Sequence, residues 1–351
     1  MRPETALAIG PFNWAGQARA WAEALQRSLG IPAFSFSGTS HRTVQVTGRA
    51  HRRTPHHRLR PYALRNAWLR VALRSATHVL SEGAVPLVRG GGHNVLGQAE
   101  AQWWSRRGVT LGGVFHGSDI RQPSRHMQRL DSSYFRAFPA DELAALERET
   151  STRQIAVERL GIPLFVSTPD LLLDVPRAEW LPLVVDGASW ACTAPALERR
   201  LPRVLHLPSK RYPPVKGTAI IDPVLQRLRD QGAIEYLSPV SVPHVEMPGL
   251  VKSVDIVIDQ ILTGSYGVAA VESLAAGRLT VGYVAPDVRR AIIEDVPIID
   301  APAEDFAHVM ESLLDDIDAA RSVAAAGPQF ARRWHDGSRS AAVLGNFVGV
   351  A

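Results

Sequence analysis

Short apolar runs alternate with longer amphipathic stretches along most of the chain. Apolar runs such as residues 6–9, 109–115, 203–207 and 254–258 have the length of buried strands. Between such runs apolar residues recur at helical spacing, as in residues 218–230. Because strands that alternate with helices form parallel sheets covered on both faces, the pattern predicts an α/β protein.

The length of the chain predicts two domains. A chain of 351 residues with 46% hydrophobic content can fill two cores of ordinary size. Gly187, Pro195 and several charged residues between positions 185 and 202 are typical of a hinge. We therefore expect a first Rossmann-like domain at residues 1–186 and a second at residues 187–329.

A basic turn follows the apolar run at residues 203–207. Lys210, Arg211 and Lys216 lie within seven residues of one another on a loop that contains two prolines. Gly217 closes the loop before the helical pattern begins. Such a cluster of cations could hold a polyanion.

A glycine loop precedes a helix in the same half of the chain. Gly264 and Gly267 follow the predicted strand at residues 254–258, and helical spacing begins at Val268. Glycines let backbone N–H groups approach a ligand, and a helix N-terminus favours phosphate. Glu272 lies about one turn into this helix, where it could accept hydrogen bonds from a ribose diol. The basic turn and the glycine loop together predict a site for a nucleotide diphosphate.

The same two segments carry a resemblance to a known family. Residues 208–218 and 264–277 resemble the donor half of retaining family-4 glycosyltransferases, which have the GT-B fold of two Rossmann-like domains facing a cleft. The resemblance implies sugar transfer from a nucleotide-diphosphate donor to an acceptor, with retention and without a metal or cofactor. The end of the chain is predicted to form one or two helices after Gly327-Pro328. The resemblance implies that a C-terminal helix, at residues 330–351, packs back on the first domain.

The resemblance assigns roles to individual residues. A basic pair grips the donor pyrophosphate in the family, and Arg211 and Lys216 match it, with Lys210 as an alternative to Arg211. Glu272 matches the ribose ligand of the family. The other positions expected to bind the donor are Gly16, in the glycine loop of the first domain, and Ser209, Gly264, Ser265, Tyr266, Gly267 and Val268.

One position departs from the family pattern. The family has two glutamates eight residues apart, and Gly264 stands in place of the first, which is thought to lie near the transferred sugar. The departure keeps one alternative to ordinary transfer open, a GT-B protein of altered chemistry such as a pseudo-glycosyltransferase or an epimerase. A second alternative, independent of Gly264, is a non-catalytic nucleotide-binding scaffold that uses an arginine-rich stretch to join a membrane surface or a partner complex.

Two polar residues follow a predicted strand of the first domain. The run at residues 109–115 ends in His116 and Asp119. Ligands collect at the carboxyl ends of strands in open α/β sheets, so both residues are candidates for the acceptor side and for catalysis. The family often has a histidine at such a place. The alternatives are a hydrogen-bonded histidine at a strand end and an aspartate that caps the following turn.

Charge is distributed unevenly along the chain. No acidic residue occurs between Glu23 and Glu82, while ten arginines fall there. The stretch Arg42–Arg74 suits an anionic membrane surface, at roughly 1 kcal/mol per basic residue. A solvated arginine-rich face is the alternative. No nucleic-acid motif accompanies the arginines, so no specific nucleic-acid partner is expected.

The remaining signals concern compartment and partners. A single cysteine, Cys192, excludes an internal disulfide, and no signal sequence or membrane-spanning run is recognised. We expect a cytoplasmic protein that can bind the inner face of the membrane peripherally. The sequence predicts a nucleotide sugar as partner. It leaves the base, the sugar and the acceptor open, and the acceptor could be lipid-linked, a glycan or a small metabolite.

Overall fold

The chain folds into two compact units, each built on a parallel sheet. A computed structural model describes residues 5–37, 51–53 (backbone only), 69–88, 95–208, 215–292 and 294–350. The first unit comprises Met1–Gln122, Leu146–Val184 and Gly337–Ala351, and the second comprises Pro123–Ala145 and Val185–Asp336. The two parallel-sheet units have the predicted α/β class and the Rossmann-like architecture of GT-B proteins.

The sheet of the first unit has the order β3-β2-β1-β4-β5-β6-β7 over the residues described. Its strands, all parallel, are Leu7–Gly10 (β1), Ala33–Ser37 (β2), His51–Arg53 (β3), His78–Glu82 (β4), Thr110–Phe115 (β5), Leu164–Val166 (β6) and Glu179–Trp180 (β7). The chain winds outward in both directions from the β1/β4 pair. In a doubly wound sheet this is the switch point, where ligands bind outside the carboxyl ends of the strands.

The sheet of the second unit has the order β12-β11-β10-β8-β9 in the described part of the chain. Its parallel strands are Arg203–His206 (β8), Glu235–Leu237 (β9), Ile256–Ile258 (β10), Leu279–Gly282 (β11) and Ile299–Asp300 (β12). This order is the flavodoxin-like winding, and its switch point lies between β8 and β10.

Helices cover both sheets. Among the described residues, besides the short helical stretch 69–72, they are Gln17–Leu29 (α1), Gln98–Ser105 (α2), Pro123–Arg129 (α3), Ala140–Leu160 (α4), Gly187–Trp190 (α5), Thr218–Asp230 (α6), Met247–Lys252 (α7), Val268–Ala275 (α8), Pro286–Ile292 (α9), Phe306–Asp315 (α10), Ile317–His335 (α11) and Ser338–Phe347 (α12). Single 3-10 turns occur at Trp14–Gly16, Tyr134–Ala137, Pro169–Leu173 and His244–Glu246. The predicted helix at residues 218–230 and the helix start at Val268 are confirmed.

Strand pleating divides the core of the first unit into two layers. Leu7 and Ile9 of β1 face the layer that contains Trp21 and Leu25 of α1. Ala8, between them, belongs to the layer on the other face of the sheet. Successive side chains of a strand point to opposite faces, and a strand buried on both faces is apolar throughout. This explains why β1 reads as a continuous apolar run.

The C-terminal helices differ from the prediction at one point. The sequence predicted a helix starting after Gly327-Pro328, but α11 begins at Ile317 and runs through both residues. A side chain at Gly327 would bring its Cβ within 2.9 Å of the Leu274 carbonyl oxygen, so this glycine permits close packing of α11 on α8. The following helix, α12, belongs to the first unit, where the Ser340 hydroxyl donates to the Pro182 carbonyl at 2.7 Å.

Residues 123–145 belong to the second unit, although the predicted boundary at 186 assigned them to the first domain. The His126 ring Nε2 lies 3.1 Å from the Thr263 carbonyl oxygen. Leu130 packs against Gly264. These contacts join segments more than 130 residues apart (263 − 126 = 137). No local sequence pattern reports contacts of that separation.

The predicted membrane surface lies mostly outside the described residues. Of the stretch Arg42–Arg74, the structure describes the backbone of β3 and residues 69–74, of which 69–72 are helical. No helix in the described part of the chain combines the length and the apolar content needed to cross a bilayer.

Candidate functional site

Lys216 and Asp259 form an ion pair at the switch point of the second sheet. Lys216 lies in the turn between β8 and α6, and Asp259 follows the last residue of β10. The Lys216 Nζ is 3.1 Å from Asp259 Oδ1. Gly217 has a φ of 85°, and a Cβ there would lie 2.5 Å from Ile261. The turn therefore requires glycine, because the loop after β10 packs directly against it.

Asp259 also binds the N-terminus of α8. The backbone N–H of Gly267 donates to Asp259 Oδ2 at 3.1 Å. A carboxylate thus receives both the lysine charge and an amide at the end of a helix, two groups that would otherwise suit a phosphate. Asp259 was missed in the sequence analysis. The available signal was an acid directly after a buried strand.

Glu272 is buried one turn into α8. Its residue exposure is 7%. Burial raises the pKa of Glu272 to about 8, with Lys216 acting to lower it and Asp259 to raise it. The carboxyl is therefore predominantly protonated at neutral pH and can donate one hydrogen bond as well as accept. His244 Nε2 lies 3.8 Å from Glu272 Oε1.

His206 fixes the elements around this site. It is fully buried at the end of β8, with Nδ1 3.1 Å from the Ile258 carbonyl oxygen and Nε2 3.0 Å from Thr218 Oγ1. Burial is the main cause that lowers the pKa of His206 to about 4, so the ring is neutral at pH 7. The ring links β8 to β10 and to the first turn of α6. Lys216 lies in the turn that immediately precedes α6.

The side chains of the glycine loop point into the second unit. Tyr266 is buried, with its hydroxyl oxygen 3.2 Å from His335 Nε2. Ser265 is also buried, and its carbonyl oxygen accepts from Gln260 Nε2 at 2.8 Å. A ligand would meet the backbone of this loop, together with Val268, which is partly exposed at the start of α8.

Gly264 occupies a position that no glutamate could fill in this backbone. Its φ is +65°, in the left-handed region that favours glycine. A Cβ would lie 2.7 Å from a methyl carbon of Leu130 and 3.2 Å from the Cβ of Ala285. The departure from the family pattern is therefore built into the backbone and its packing.

An apolar cavity adjoins the carboxyl end of β9. It has a volume of about 780 Å³, and its lining includes Leu237, Pro239, Val245 and Leu250. Val245 is 84% exposed. The neighbouring residue His244 is the one that approaches Glu272. Cavity, buried carboxyl and lysine thus belong to one face of the second unit.

A second buried carboxylate marks the switch point of the first sheet. Glu82, the last residue of β4, is fully buried. Its Oε2 accepts the N–H groups of Phe12 and Asn13, both at 2.6 Å, and its Oε1 accepts that of Trp14 at 3.2 Å. The loop after β1 therefore wraps around a carboxylate. Gly16, at φ 76°, precedes α1 in the same loop. Glu82 was not predicted.

His116 and Asp119 lie at the adjacent strand end. His116 Nε2 is 3.3 Å from Glu82 Oε1, and its ring stacks on Trp21 with centroids 5.6 Å apart. The Asp119 carboxylate accepts the N–H groups of His116 at 3.0 Å and Gly117 at 2.8 Å. Asp119 thus caps the turn after β5, the alternative role considered for it. Ser209, Lys210 and Arg211 lie outside the described residues.

Several solved structures are similar to this chain over almost its whole length. The structure of sucrose-phosphate synthase from Thermosynechococcus elongatus superimposes with a TM-score of 0.62 and 12% sequence identity. The alignment covers 98% of each chain. HepE from Anabaena, in complex with UDP and glucose, is 11% identical with a TM-score of 0.61, covering 99% of this chain and 100% of HepE. WaaG, a glycosyltransferase involved in lipopolysaccharide biosynthesis, is 12% identical with a TM-score of 0.58 and the same coverage. No protein-family profile and no curated protein sequence matches the chain. At such low identities the similarity shows a shared fold.

Proposed function

We propose that this protein is a glycosyltransferase that takes a sugar from a nucleotide-diphosphate donor bound to the second unit. The observation that carries the proposal is the grouping of Lys216, the Gly267 N–H and Glu272 at the switch point of the second sheet. Structures of the same fold include HepE with UDP and glucose bound. A cation, a helix N-terminus and a buried carboxyl are the groups that a nucleoside diphosphate requires.

The diphosphate would replace the Asp259 carboxylate as partner of Lys216 and of the Gly267 N–H. Both groups are already oriented towards an anion, so little reorganisation is needed when phosphate arrives. As the bond between the sugar C1 and the diphosphate oxygen breaks, negative charge grows on the leaving group. Lys216 and the α8 N-terminus would stabilise that charge, with Arg211 as the second cation expected from the resemblance. On this mechanism no metal and no cofactor is required.

The nucleoside would occupy the neighbouring features. Glu272 would bind the ribose diol, accepting from one hydroxyl and, when protonated, donating to the other. The base would enter the cavity beside β9, where it would cover Val245, which is exposed without ligand. An apolar cavity near polar groups is typical of a nucleotide site.

The acceptor would bind to the first unit. His116 and Glu82 lie together at the carboxyl ends of β5 and β4, where ligands of such sheets bind. His116 would position the acceptor hydroxyl, whose oxygen forms the new bond to C1 while its proton passes to an oxygen of the departing diphosphate. We further propose that the enzyme transfers a hexose with retention of configuration. The acceptor would be lipid-linked, a glycan or a small metabolite. The protein would lie in the cytoplasm and bind an anionic membrane peripherally through Arg42–Arg74.

Gly264 favours one second candidate, an enzyme of altered chemistry on the nucleotide sugar. The backbone and Leu130 leave no space for the glutamate that the family places near the sugar. Without that side chain the sugar would be held differently, which would suit an epimerase or a pseudo-glycosyltransferase. Both candidates share the nucleotide site and differ in product.

The test is a calorimetric and thermal-shift screen of the purified protein against UDP, GDP, ADP and TDP and their sugar conjugates, with and without magnesium. We expect one base to raise the melting temperature without metal, since a ligand that binds only the folded state stabilises it. Loss of that shift in Glu272→Ala would locate the site. Failure of every nucleotide to bind would exclude both candidates.

Product analysis then separates the two candidates. Incubation of the bound nucleotide sugar with mixed acceptors should release the nucleoside diphosphate and form a glycoside if the protein is a transferase. An isomerised sugar still attached to its nucleotide would identify the enzyme of altered chemistry.

A further inference from the structure

A cavity lined by arginine and tryptophan side chains lies at the amino ends of β4 and β5 in the first sheet. It has a volume of about 430 Å³, and Arg70, Arg74, Trp103 and Arg107 are among its lining residues. We name it the Arg-Trp pocket. Its walls are residues 70–77, which lead into β4, and residues 103–109, which lead into β5. The pocket is therefore at the amino ends of these two strands, whereas Glu82 and His116 lie at their carboxyl ends. The six residues of β5 separate its amino end from its carboxyl end by about 20 Å.

The arginines of this pocket have no acidic partner in the described residues. Arg70, Arg74 and Arg107 are exposed, and none of them forms an ion pair there. The sequence explains the deficit, because no acid occurs between Glu23 and Glu82. The acid of α2, Glu100, is buried and accepts the N–H groups of Leu87 at 2.8 Å and Val88 at 2.9 Å. Several positive charges thus face one cavity without compensation.

The guanidinium groups are arranged around an aromatic ring. The Arg107 Cζ lies 3.6 Å from the centroid of the Trp103 ring, and the Arg70 Cζ lies 5.4 Å from it. Stacking on indole holds a guanidinium in place while leaving its N–H groups able to bind an anion. Arg107 Nη1 also donates to the Trp103 carbonyl oxygen at 3.1 Å. This bond uses one of the five N–H donors of Arg107 and stiffens the side chain.

The simpler explanation of these arginines is that they stabilise helix ends. This explanation accounts for Arg107 but not for Arg70. Arg107 follows α2 and donates to the Trp103 carbonyl in its last turn, as a basic residue at a helix C-terminus should. Arg70 belongs to a different helical segment, yet it faces the same indole ring. Convergence of cations from two segments on one cavity is what phosphate recognition requires, because guanidinium groups match phosphate oxygens in pairs.

We propose that the Arg-Trp pocket binds a phosphate group, either that of a phospholipid headgroup or that of a small phosphorylated solute, at a site separate from the nucleotide site. The cavity is larger than a phosphate ion, so the group it takes can carry an organic substituent. Val71, 61% exposed beside Arg70, would contact the hydrocarbon part of a lipid. With a lipid the site would attach this edge of the first unit to an anionic membrane. With a solute it would be a second ligand site on the same unit.

The experiment uses the full chain and two double variants of equal charge. Arg70→Gln with Arg107→Gln removes two cations from the pocket. Arg148→Gln with Arg159→Gln is the matched control, since both arginines are exposed on α4. All three proteins are sedimented with vesicles of phosphatidylcholine, with and without phosphatidylglycerol. They are also titrated calorimetrically with glycerol 3-phosphate and with inorganic phosphate.

Either of two results supports the pocket and identifies the source of the phosphate. Binding to phosphatidylglycerol vesicles that falls about 30-fold in the pocket variant and changes little in the control points to a lipid headgroup. Binding of glycerol 3-phosphate or phosphate that is lost only in the pocket variant points to a solute. Unchanged nucleotide-induced stabilisation in the pocket variant shows that the fold and the donor site are intact.

The proposal is overturned if the wild type binds neither vesicles nor phosphorylated solutes. It is also overturned if the pocket variant binds as tightly as the wild type, or if the control loses as much affinity. The last two outcomes would mean that any binding comes from general positive charge. None of these readouts depends on sugar transfer, so failure here leaves the proposed transferase activity untouched and removes only the proposed membrane location.

Discussion

Glu82 and Asp259 occupy corresponding places in the two sheets, but they bind different partners. Each lies at the carboxyl end of a strand beside a switch point. Glu82 accepts three backbone N–H groups from the loop after β1. Asp259 accepts one backbone N–H and the Lys216 ammonium. The first carboxylate completes a loop, whereas the second forms contacts that a ligand anion can take over.

The two carboxylates differ in which groups would lose their partner if the carboxylate were removed. Without Glu82, three N–H groups of one tight loop would have no acceptor. Without Asp259, the Lys216 ammonium and the N–H of Gly267, the residue before α8, would be available to phosphate. The contacts of the first site therefore belong to the folded loop itself, whereas exchange of Asp259 for a ligand anion is what the proposed function requires of the second.

The largest effect is expected from Glu82→Ala. Loss of an acceptor for three N–H groups should lower the free energy of unfolding by about 4 kcal/mol, since a hydrogen bond to a charged group contributes roughly 1.5–3 kcal/mol and the two partly buried bonds lie at the lower end of that range. The measurement is the denaturant midpoint followed by fluorescence. The exposed control Glu158→Ala on α4 should change stability by less than about 0.5 kcal/mol. A similar small change for Glu82→Ala would show that the loop does not depend on this carboxylate.

The next effect concerns the pH dependence of stability through Glu272. The pKa of Glu272 in the folded state, about 8, lies above the ordinary glutamate value of 4.5. The folded protein therefore binds more protons between these values, and the stabilisation present below about pH 4.5 is lost as the pH rises to 8. Glu272→Gln removes this titration. From pH 5 to 7.5 the wild type should lose roughly 3 kcal/mol relative to the variant. Parallel stability profiles would mean that Glu272 is ionised in the folded state.

A third effect, on ligand binding, is expected from Lys216→Ala. Removal of the ammonium should weaken nucleoside diphosphate binding about 30-fold, equivalent to roughly 2 kcal/mol for a charged hydrogen bond. Titration calorimetry measures the change. Lys252→Ala, which removes a lysine at the end of α7, is the control and should bind as the wild type does. Equal affinity of both variants would remove Lys216 from the donor site.

The smallest effect should come from Asp259→Asn, and its sign is decisive. The amide keeps the shape but frees Lys216 and removes a negative charge that repels phosphate. Nucleoside diphosphate affinity should increase by about 5-fold, or roughly 1 kcal/mol. Asp230→Asn, at the exposed end of α6, controls for the loss of one acid. Weaker binding by Asp259→Asn would instead mean that Asp259 positions Lys216 for the ligand.

Local patterns predicted the fold class and the elements of the second site. The helix at 218–230 and the start of α8 at Val268 follow the predicted spacing closely. Predicted strand ends were less accurate, since residues 254–258 shorten to β10 at 256–258. Gly327-Pro328 was read as a helix start because both residues disfavour a helix interior. Close packing on α8 overrides that preference.

The sequence by itself determined that strands and helices alternate, that two parallel sheets form, and that Lys216, Gly267 and Glu272 lie at the start of helices. These properties depend on residues close together in the chain, where spacing and turn chemistry act directly. Tertiary structure alone decided that Asp259 meets Lys216 from 43 residues away and that Glu82 meets Phe12 from 70 residues away. It also brought Leu130 onto Gly264. Such contacts depend on which strands become neighbours, and that choice is made by burial of the whole core.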